Sequence, residues 1–255
     1  ARTKSSVTAR GMMMARSLRI VAAYCLIAVN LNGICDAFIS QTRSTSTVGP
    51  CVDSQPLKMT TFSAAGPAFC EKCGSPTVRR VPLGDERERS CCSDPQCGFI
   101  SYQNPKVVVG AVCTWEDRVL LCKRAIPPCE GMWGYPQGFL ELGETTRMGA
   151  ARETFEEAGA KFDSTKAELM AIYNLAGHQV QMIYKAQLLS DEFEAGHESS
   201  AVELFKWEDI PWDELAFPTV QWALEYAQNK ASGDASVQER TKLVDADGNW
   251  SVKEG

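Results

Sequence analysis

The sequence has little of several features that would place it in a special class of protein. It has no internal repeat and only two histidines. It also lacks an apolar run of the roughly 20 residues that are needed to cross a bilayer. Its net charge is -6, although the first 70 residues carry seven basic and two acidic side chains, so the remainder is strongly acidic. An acidic body lacks the basic face that displaces counterions from phosphates, which argues against nucleic acid as a partner.

The first 68 residues resemble a targeting presequence. The numbered chain begins with Ala1, and we expect translation to start near Met12. Basic residues there precede an apolar run of residues 20–31, and small residues follow it up to Ala37, which is the order found in a signal peptide. Because this run is short and contains Asn30, we expect cleavage after residue 37 and no membrane association in the mature form.

Residues 38–68 are rich in Ser and Thr and resemble a plastid transit peptide. A signal peptide joined to such a segment at Ala37-Phe38 resembles the bipartite plastid presequence of some algae. The resemblance predicts a plastid (chloroplast) location. A disordered linker in a secreted protein would have a similar composition, and that alternative stays open.

Five of the eleven cysteines lie between positions 70 and 97. Cys70 and Cys73 form one closely spaced pair, and Cys92 and Cys97 form a second, with Cys91 as a competitor for Cys92. Two such pairs separated by a hairpin-length spacer are typical of a zinc ribbon, which we predict over residues 69–103 with a structural Zn²⁺. A redox pair or a nucleic-acid-binding ribbon are the alternatives.

The sequence after residue 103 predicts an α/β domain over residues 104–231, followed by a polar, mobile tail over residues 232–255. Residues 107–114 and 119–123 read as a hairpin, and residues 218–230 as an amphipathic helix whose buried face would contain Val220, Ala223, Leu224 and Ala227. Further strands are expected at residues 168–173, 179–188 and 202–207. Cys113 and Cys122 should be buried in the hairpin.

A helix that contains three carboxylates follows Gly138. Glu153, Glu156 and Glu157 have i, i+3 and i+4 spacing, so they share one side of a helix that Gly159 can end. We expect their carboxylates to aim at one point. The opposite, buried side would consist of Met148, Ala151, Phe155 and Ala158.

Like charges at this spacing repel each other unless a cation lies between them. Mg²⁺, or Mn²⁺ in its place, prefers carboxylate and phosphate oxygens and can activate a water molecule for attack on phosphorus. The three glutamates are therefore candidate magnesium ligands, and a solvated acidic face is the alternative.

The order Gly138, five residues, Glu144, seven residues, then Arg152-Glu153-Thr154-Phe155-Glu156-Glu157-Ala158-Gly159-Ala160 resembles the Nudix box. This resemblance implies an α/β/α Nudix sandwich with a mixed sheet, in which Arg152 and Glu144 orient the catalytic carboxylates. It also implies an additional glutamate from a later loop that helps to activate water. Glu198 is the first candidate for it and Glu203 the second.

The ribbon together with the box resembles the group of Nudix hydrolases that contains the plastid FAD and ADP-ribose pyrophosphatases of plants. The resemblance implies a small-molecule nucleotide partner, with FAD cleaved to FMN and AMP, and ADP-ribose or NADH as alternative substrates. A homodimer is an expectation from the resemblance alone. Tyr135, Arg124 and Gly138 are candidate substrate-binding residues, Tyr135 by stacking on a base. A nucleotide-binding module without catalysis is the alternative of another class.

Overall fold

The computed structural model describes residues 66–175, 178–230, 233–245 and 249–255. The predicted start near Met12, the predicted signal peptide and all but the end of the transit-peptide-like segment lie outside the described residues. Within the described ranges, no helix is both long and apolar enough to cross a membrane.

A small antiparallel sheet forms the amino-terminal part of the described chain. Its three strands lie in the order β1-β2-β3. They are β1 (Thr77–Arg80), β2 (Arg89–Cys92) and β3 (Ile100–Ser101). The sheet lies within the predicted ribbon, and the cysteine-bearing turns flank its strands.

A mixed sheet forms the centre of the larger part of the chain. Its strands are β4 (Lys106–Trp115), β5 (Arg118–Arg124), β6 (Trp133–Gly134), β7 (Gln137–Phe139), β8 (Glu168–Leu175), β9 (Gln179–Gln187), β10 (Ser199–Lys206), β11 (Gln238–Val244) and β12 (Trp250–Glu254). The main order is β10-β5-β4-β9-β8-β11-β12, while β6 pairs with β5 and β7 with β4. The pairs β4–β9 and β8–β11 are parallel, and the other pairs are antiparallel.

Two helices cover the two faces of this sheet. Side chains alternate along a strand, so Val109, Ala111 and Cys113 of β4 pack with the helix α1 (Thr146–Ala158), while Val112 packs on the other face. That other face is covered by α2 (Pro218–Asn229). The predicted α/β/α sandwich is therefore confirmed.

Most elements agree with the sequence expectations. The hairpin of β4 and β5 turns at Glu116 and Asp117, and Cys113 and Cys122 are buried. The α2 face of Val220, Ala223, Leu224 and Ala227 is buried as predicted. The expectation of a mobile tail after residue 231 is wrong, because β11 pairs in parallel with β8 and β12 continues the sheet.

Candidate active site

The helix α1 has defined caps at both ends. At its start, the hydroxyl of Thr145 accepts a hydrogen bond from the backbone N–H of Met148 at 3.2 Å. At its end, Gly159 adopts a left-handed conformation with φ of 61°, and its N–H donates to the carbonyl of Phe155 at 2.8 Å. These caps fix the position of the acidic side chains between them.

The buried side of α1 is not the apolar stripe that the sequence suggests. Met148 is 52% exposed and Phe155 is 53% exposed, so the expectation that they are buried is wrong. The side of the helix that faces the sheet contains small residues: Gly149, Ala150, Thr154 and Ala158. A Cβ at position 149 would lie 2.9 Å from a methyl carbon of Val109, so the helix lies too close to the sheet to accommodate large side chains.

Arg152 is the centre of the acidic cluster. Its guanidinium donates two hydrogen bonds to Glu144, at 2.9 and 3.1 Å, and one each to Glu153 at 2.8 Å and Glu156 at 2.9 Å. A fifth hydrogen bond goes to the carbonyl of Phe139 at 3.0 Å. The hydrogen bonds from Arg152 hold the pKa of Glu144 below its usual value. Arg152 therefore links Glu144, Glu153 and Glu156 in one hydrogen-bonded network.

Glu157 lies apart from this network and is mostly buried. One of its carboxylate oxygens accepts a hydrogen bond from the backbone N–H of Gln137 at 3.3 Å. Burial raises its pKa to about 8, and the negative charges of Glu153 and Glu198 act in the same direction. Burial also raises the pKa of Glu153 despite its ion pair with Arg152.

The three helix carboxylates lie on one side of α1 without meeting at one point. Arg152 Nη1 holds Glu153 and Glu156, while the N–H of Gln137 holds Glu157. Among the described residues, a set of cysteine thiols, and not the glutamates, has ligand atoms that all lie within 4.8 Å of one another. The expectation that the three carboxylates aim at one metal ion stays a prediction.

Gly138 provides space for Glu153 because it has no side chain. A Cβ at this position would overlap the Cδ and both oxygens of the Glu153 carboxylate. Gly138 pairs with Val109 where β7 runs beside β4, so its backbone position is fixed by the sheet. The contact places Gly138 against a candidate metal ligand.

A pocket lies between the end of β5, the region around β6 and β7, and the start of α2. Arg124, Glu157, Glu198 and Phe217 are among its lining residues. The guanidinium carbon of Arg124 lies 5.4 Å from the centre of the Phe217 ring, and Arg124 Nε donates to the carbonyl of Pro128 at 2.8 Å. A fixed positive charge therefore lies in the same pocket as the Glu157 carboxylate.

Phe217 was not among the predicted site residues. Its only signal in the sequence is its place before Pro218, where a helix begins beside the pocket. Tyr135 also lines the pocket, but it is 2% exposed and its ring packs in the core around α2. A ring in that environment has no open face on which a base could stack.

Glu198 lies on the loop before β10, at the mouth of the pocket. Its carbonyl accepts a hydrogen bond from the N–H of Ala125 at 2.8 Å, and its side chain is exposed. Its charge raises the pKa of both Glu153 and Glu157. Glu203, the second candidate, pairs with Leu121 within the sheet and does not line this pocket.

Four thiols converge in the small sheet. The sulfur atoms of Cys70, Cys73, Cys92 and Cys97 all lie within 4.8 Å of one another. Cys91 is fully buried on the opposite side of β2, where its sulfur faces the carbonyls of Arg80 and Arg89 at 3.9 and 3.7 Å. The geometry thus selects Cys92 over Cys91 as the fourth thiol of the cluster.

Comparison with known protein families gives two matches. Residues 104–226 match the NUDIX domain, and residues 68–103 match the family described as Nudix N-terminal, a zinc ribbon. The second match covers the four-thiol cluster, and the first contains α1 and the pocket.

Individual relatives point the same way. The chain is 30% identical over 121 residues to an ADP-ribose pyrophosphatase of Methanocaldococcus jannaschii, which covers 46% of this chain and 69% of the relative. It is 35% identical over 95 residues to Nudix hydrolase 19, chloroplastic, of Arabidopsis thaliana, over 36% of this chain and 20% of the relative. The crystal structure of a NUDIX hydrolase from Nitrosomonas europaea superimposes with a TM-score of 0.62 at 43% identity, over 68% of this chain and 97% of that chain.

Proposed function

Because this chain belongs to the Nudix hydrolase family, we propose that it hydrolyses the pyrophosphate bond of a compound in which a nucleoside diphosphate is linked to a second group. The proposal rests on one structural observation. Arg152 holds Glu144, Glu153 and Glu156 together beside a pocket that contains the buried carboxylate of Glu157. Such a concentration of negative charge can bind a diphosphate only through cations.

The donor set fits Mg²⁺ or Mn²⁺. Glu153 is buried and Glu157 is partly buried, and the charge of Glu153 raises the pKa of Glu157, a repulsion that a hard divalent cation would relieve. Mg²⁺ usually keeps several waters and takes one or two carboxylates together with substrate oxygens, so three carboxylates need not meet at one point. When bound, the cation supplies neutralisation of phosphate charge and a lower pKa for the attacking water.

The side chains around Arg152 and those that line the pocket have separate roles. Glu153, Glu156 and Glu157 would hold the cation, directly or through its waters, and Arg152 and Glu144 would fix the positions of Glu153 and Glu156. Glu198 accepts the proton of the water that attacks phosphorus. Arg124, braced by Phe217 and the Pro128 carbonyl, pairs with a phosphate oxygen of the substrate.

We assign a structural Zn²⁺ to Cys70, Cys73, Cys92 and Cys97. Four thiolates leave no open coordination position, so this ion would stabilise the small sheet and take no part in catalysis. The family match of residues 68–103 to a zinc ribbon supports this assignment.

Two substrates have specific support. The resemblance of the ribbon-plus-box combination to plant plastid enzymes favours FAD, cleaved to FMN and AMP. The relative named ADP-ribose pyrophosphatase favours ADP-ribose. Both share an adenosine diphosphate half, and the pocket can meet that half through Arg124 in either case.

A substrate panel tests the function. The chain is incubated with Mg²⁺ and FAD, ADP-ribose, NADH, CoA or a diadenosine polyphosphate, and the released nucleotides are separated by chromatography. We expect AMP and FMN from FAD, or AMP and ribose 5-phosphate from ADP-ribose. Binding of these compounds without release of any mononucleotide would instead support a nucleotide-binding module without catalysis.

A plastid location and a homodimer complete the proposal. The presequence resemblance and the relative named chloroplastic support the location. Fluorescence microscopy of the tagged full chain in an alga with complex plastids tests it. Sedimentation analysis of the purified chain tests the dimer.

A further inference from the structure

The loop that carries Glu198 is joined to the end of the catalytic helix. The N–H of Glu194 donates to the carbonyl of Ala158 at 2.8 Å, and the N–H of Gly196 donates to the carbonyl of Glu157 at 3.0 Å. These are carbonyls of the last helical turn, which have no partner within the helix. The loop thus caps the same turn that presents Glu156 and Glu157.

Gly196 lies closer to this turn than any other residue type could. A Cβ at position 196 would overlap the carbonyl oxygen of Glu156 and lie 2.8 Å from its carbonyl carbon and 3.2 Å from the Cα of Glu157. These are backbone atoms of a packed helix, so they cannot move aside as a flexible side chain can. Gly196 does not have a positive φ, so close approach and not backbone conformation requires glycine here.

A second set of hydrogen bonds fixes the other side of Glu198. The Glu198 carbonyl accepts from Ala125 at 2.8 Å, at the end of β5, and the N–H of Ser199 donates to the Gly196 carbonyl at 3.1 Å. The three residues from Gly196 to Glu198 therefore form a short tether between the helix end and the strand end. Because both ends of this segment are hydrogen-bonded, a shift of Gly196 would also displace Glu198.

We propose that Gly196 is a positioning residue that holds the Glu198 carboxylate at its working distance from Glu157. The inference rests on the proposed function, in which Glu198 accepts a proton from water. Any side chain at position 196 has to push the loop away from α1 by more than about 1 Å, a displacement that can lower a rate about 100-fold.

A double-mutant cycle tests this coupling on the best substrate of the panel. We expect Gly196→Ala to lower kcat about 100-fold with KM changed less than about threefold. In the Glu198→Gln background the same substitution should cost less than about threefold, because the positioned group is already absent. The exposed neighbour offers a matched control, and Ala195→Ser should keep the wild-type kcat.

A pair of insertions tests the tether without the steric overlap. One glycine inserted between Gly196 and His197 keeps the contact with the helix but moves Glu198, so it should lower kcat like Gly196→Ala. One glycine inserted between Ser190 and Asp191 leaves the tether intact and should keep most of the activity.

Three results would overturn the inference. Gly196→Ala could keep more than half of the wild-type kcat, it could lower kcat equally in both backgrounds, or both insertions could have the same effect. An inactive wild-type chain would remove the proposed function itself, and this inference with it.

Discussion

At Glu157, burial and charge repulsion both oppose ionisation. Its pKa is raised to about 8 in the fold against 4.5 for the free side chain. Between these values the folded state binds more protons than the unfolded state, so stability falls as pH rises through the window. Glu157 therefore destabilises the fold when it is ionised. Carboxylates with pKa values perturbed in this way are concentrated at functional sites, which favours a functional role for Glu157.

Replacement of Glu157 by Gln should therefore stabilise the protein at high pH. Without added divalent cation, we expect a gain of about 4 kcal/mol in the free energy of unfolding at pH 9 and of less than about 1 kcal/mol at pH 5. Urea unfolding at the two pH values measures it. Glu168→Gln, an exposed site at the start of β8, is the control and should change neither value. An equal gain at both pH values would contradict the role of ionisation.

Gly138 allows a selective test of Glu153. A methyl group at position 138 overlaps the flexible end of the Glu153 side chain, which can swing away without disturbing the sheet. We expect Gly138→Ala to keep its thermal unfolding temperature within a few degrees while losing about 100-fold in kcat. Calorimetric titration with Mn²⁺ should show weaker binding. Wild-type activity in this variant would show that the position of Glu153 is unimportant.

The spacing of charged residues predicted this site better than the spacing of apolar ones did. The offsets of Glu144, Glu153 and Glu156 from Arg152 are fixed because one guanidinium donates to all three carboxylates. Met148 and Phe155 could not be placed correctly, since the close approach of α1 to the sheet depends on Gly149 and Ala150. Phe217 and Gly196 matter through tertiary contacts, which one sequence does not reveal.

At the scale of elements, the strand β2 separates two adjacent cysteines. Successive side chains of a strand point to opposite faces, so Cys92 joins the thiol cluster while Cys91 is buried on the other side. The sequence predicted the ribbon but left this choice open, because both spacings are compatible with zinc. The alternation of side chains along β2 therefore identifies Cys92 as the fourth thiol of the cluster.

This pair gives a matched test of the zinc assignment. The purified wild-type chain should contain about one zinc ion. Cys92→Ser should lose most of that metal and unfold at a lower temperature, whereas Cys91→Ser should retain the zinc. Mass spectrometry of the metal content measures both. Loss of zinc from the Cys91 variant alone would reverse the assignment.

Other elements show where sequence periodicity is sufficient. The hairpin of β4 and β5 and the helix α2 were predicted because their apolar patterns match buried faces. The strands β11 and β12 were missed, since their residues are mostly polar and at least partly exposed. Pairing of β11 with β8 and of β12 with β11 stabilises them, and this pairing is a property of the whole sheet.

At the scale of the whole molecule, the helices α1 and α2 pack on the sheet in different ways. The α2 face of the sheet contains most of the large core side chains, including Tyr135, Tyr173 and Trp222. The side of α1 that faces the sheet contains small residues, so a helix of carboxylates can lie close to β4 and β7. The apolar core thus offsets the cost of buried charge on the opposite side.

The most direct test of this account compares two charge-neutral substitutions in the presence of Mg²⁺. Glu157→Gln removes the buried carboxylate of the pocket, and Glu168→Gln makes the same chemical change at an exposed position outside the pocket. We expect the first to lower kcat for AMP release by at least about 100-fold and the second to change it by less than about twofold. Equal rates for the two variants, both folded, would contradict the assignment of the pyrophosphatase site to α1.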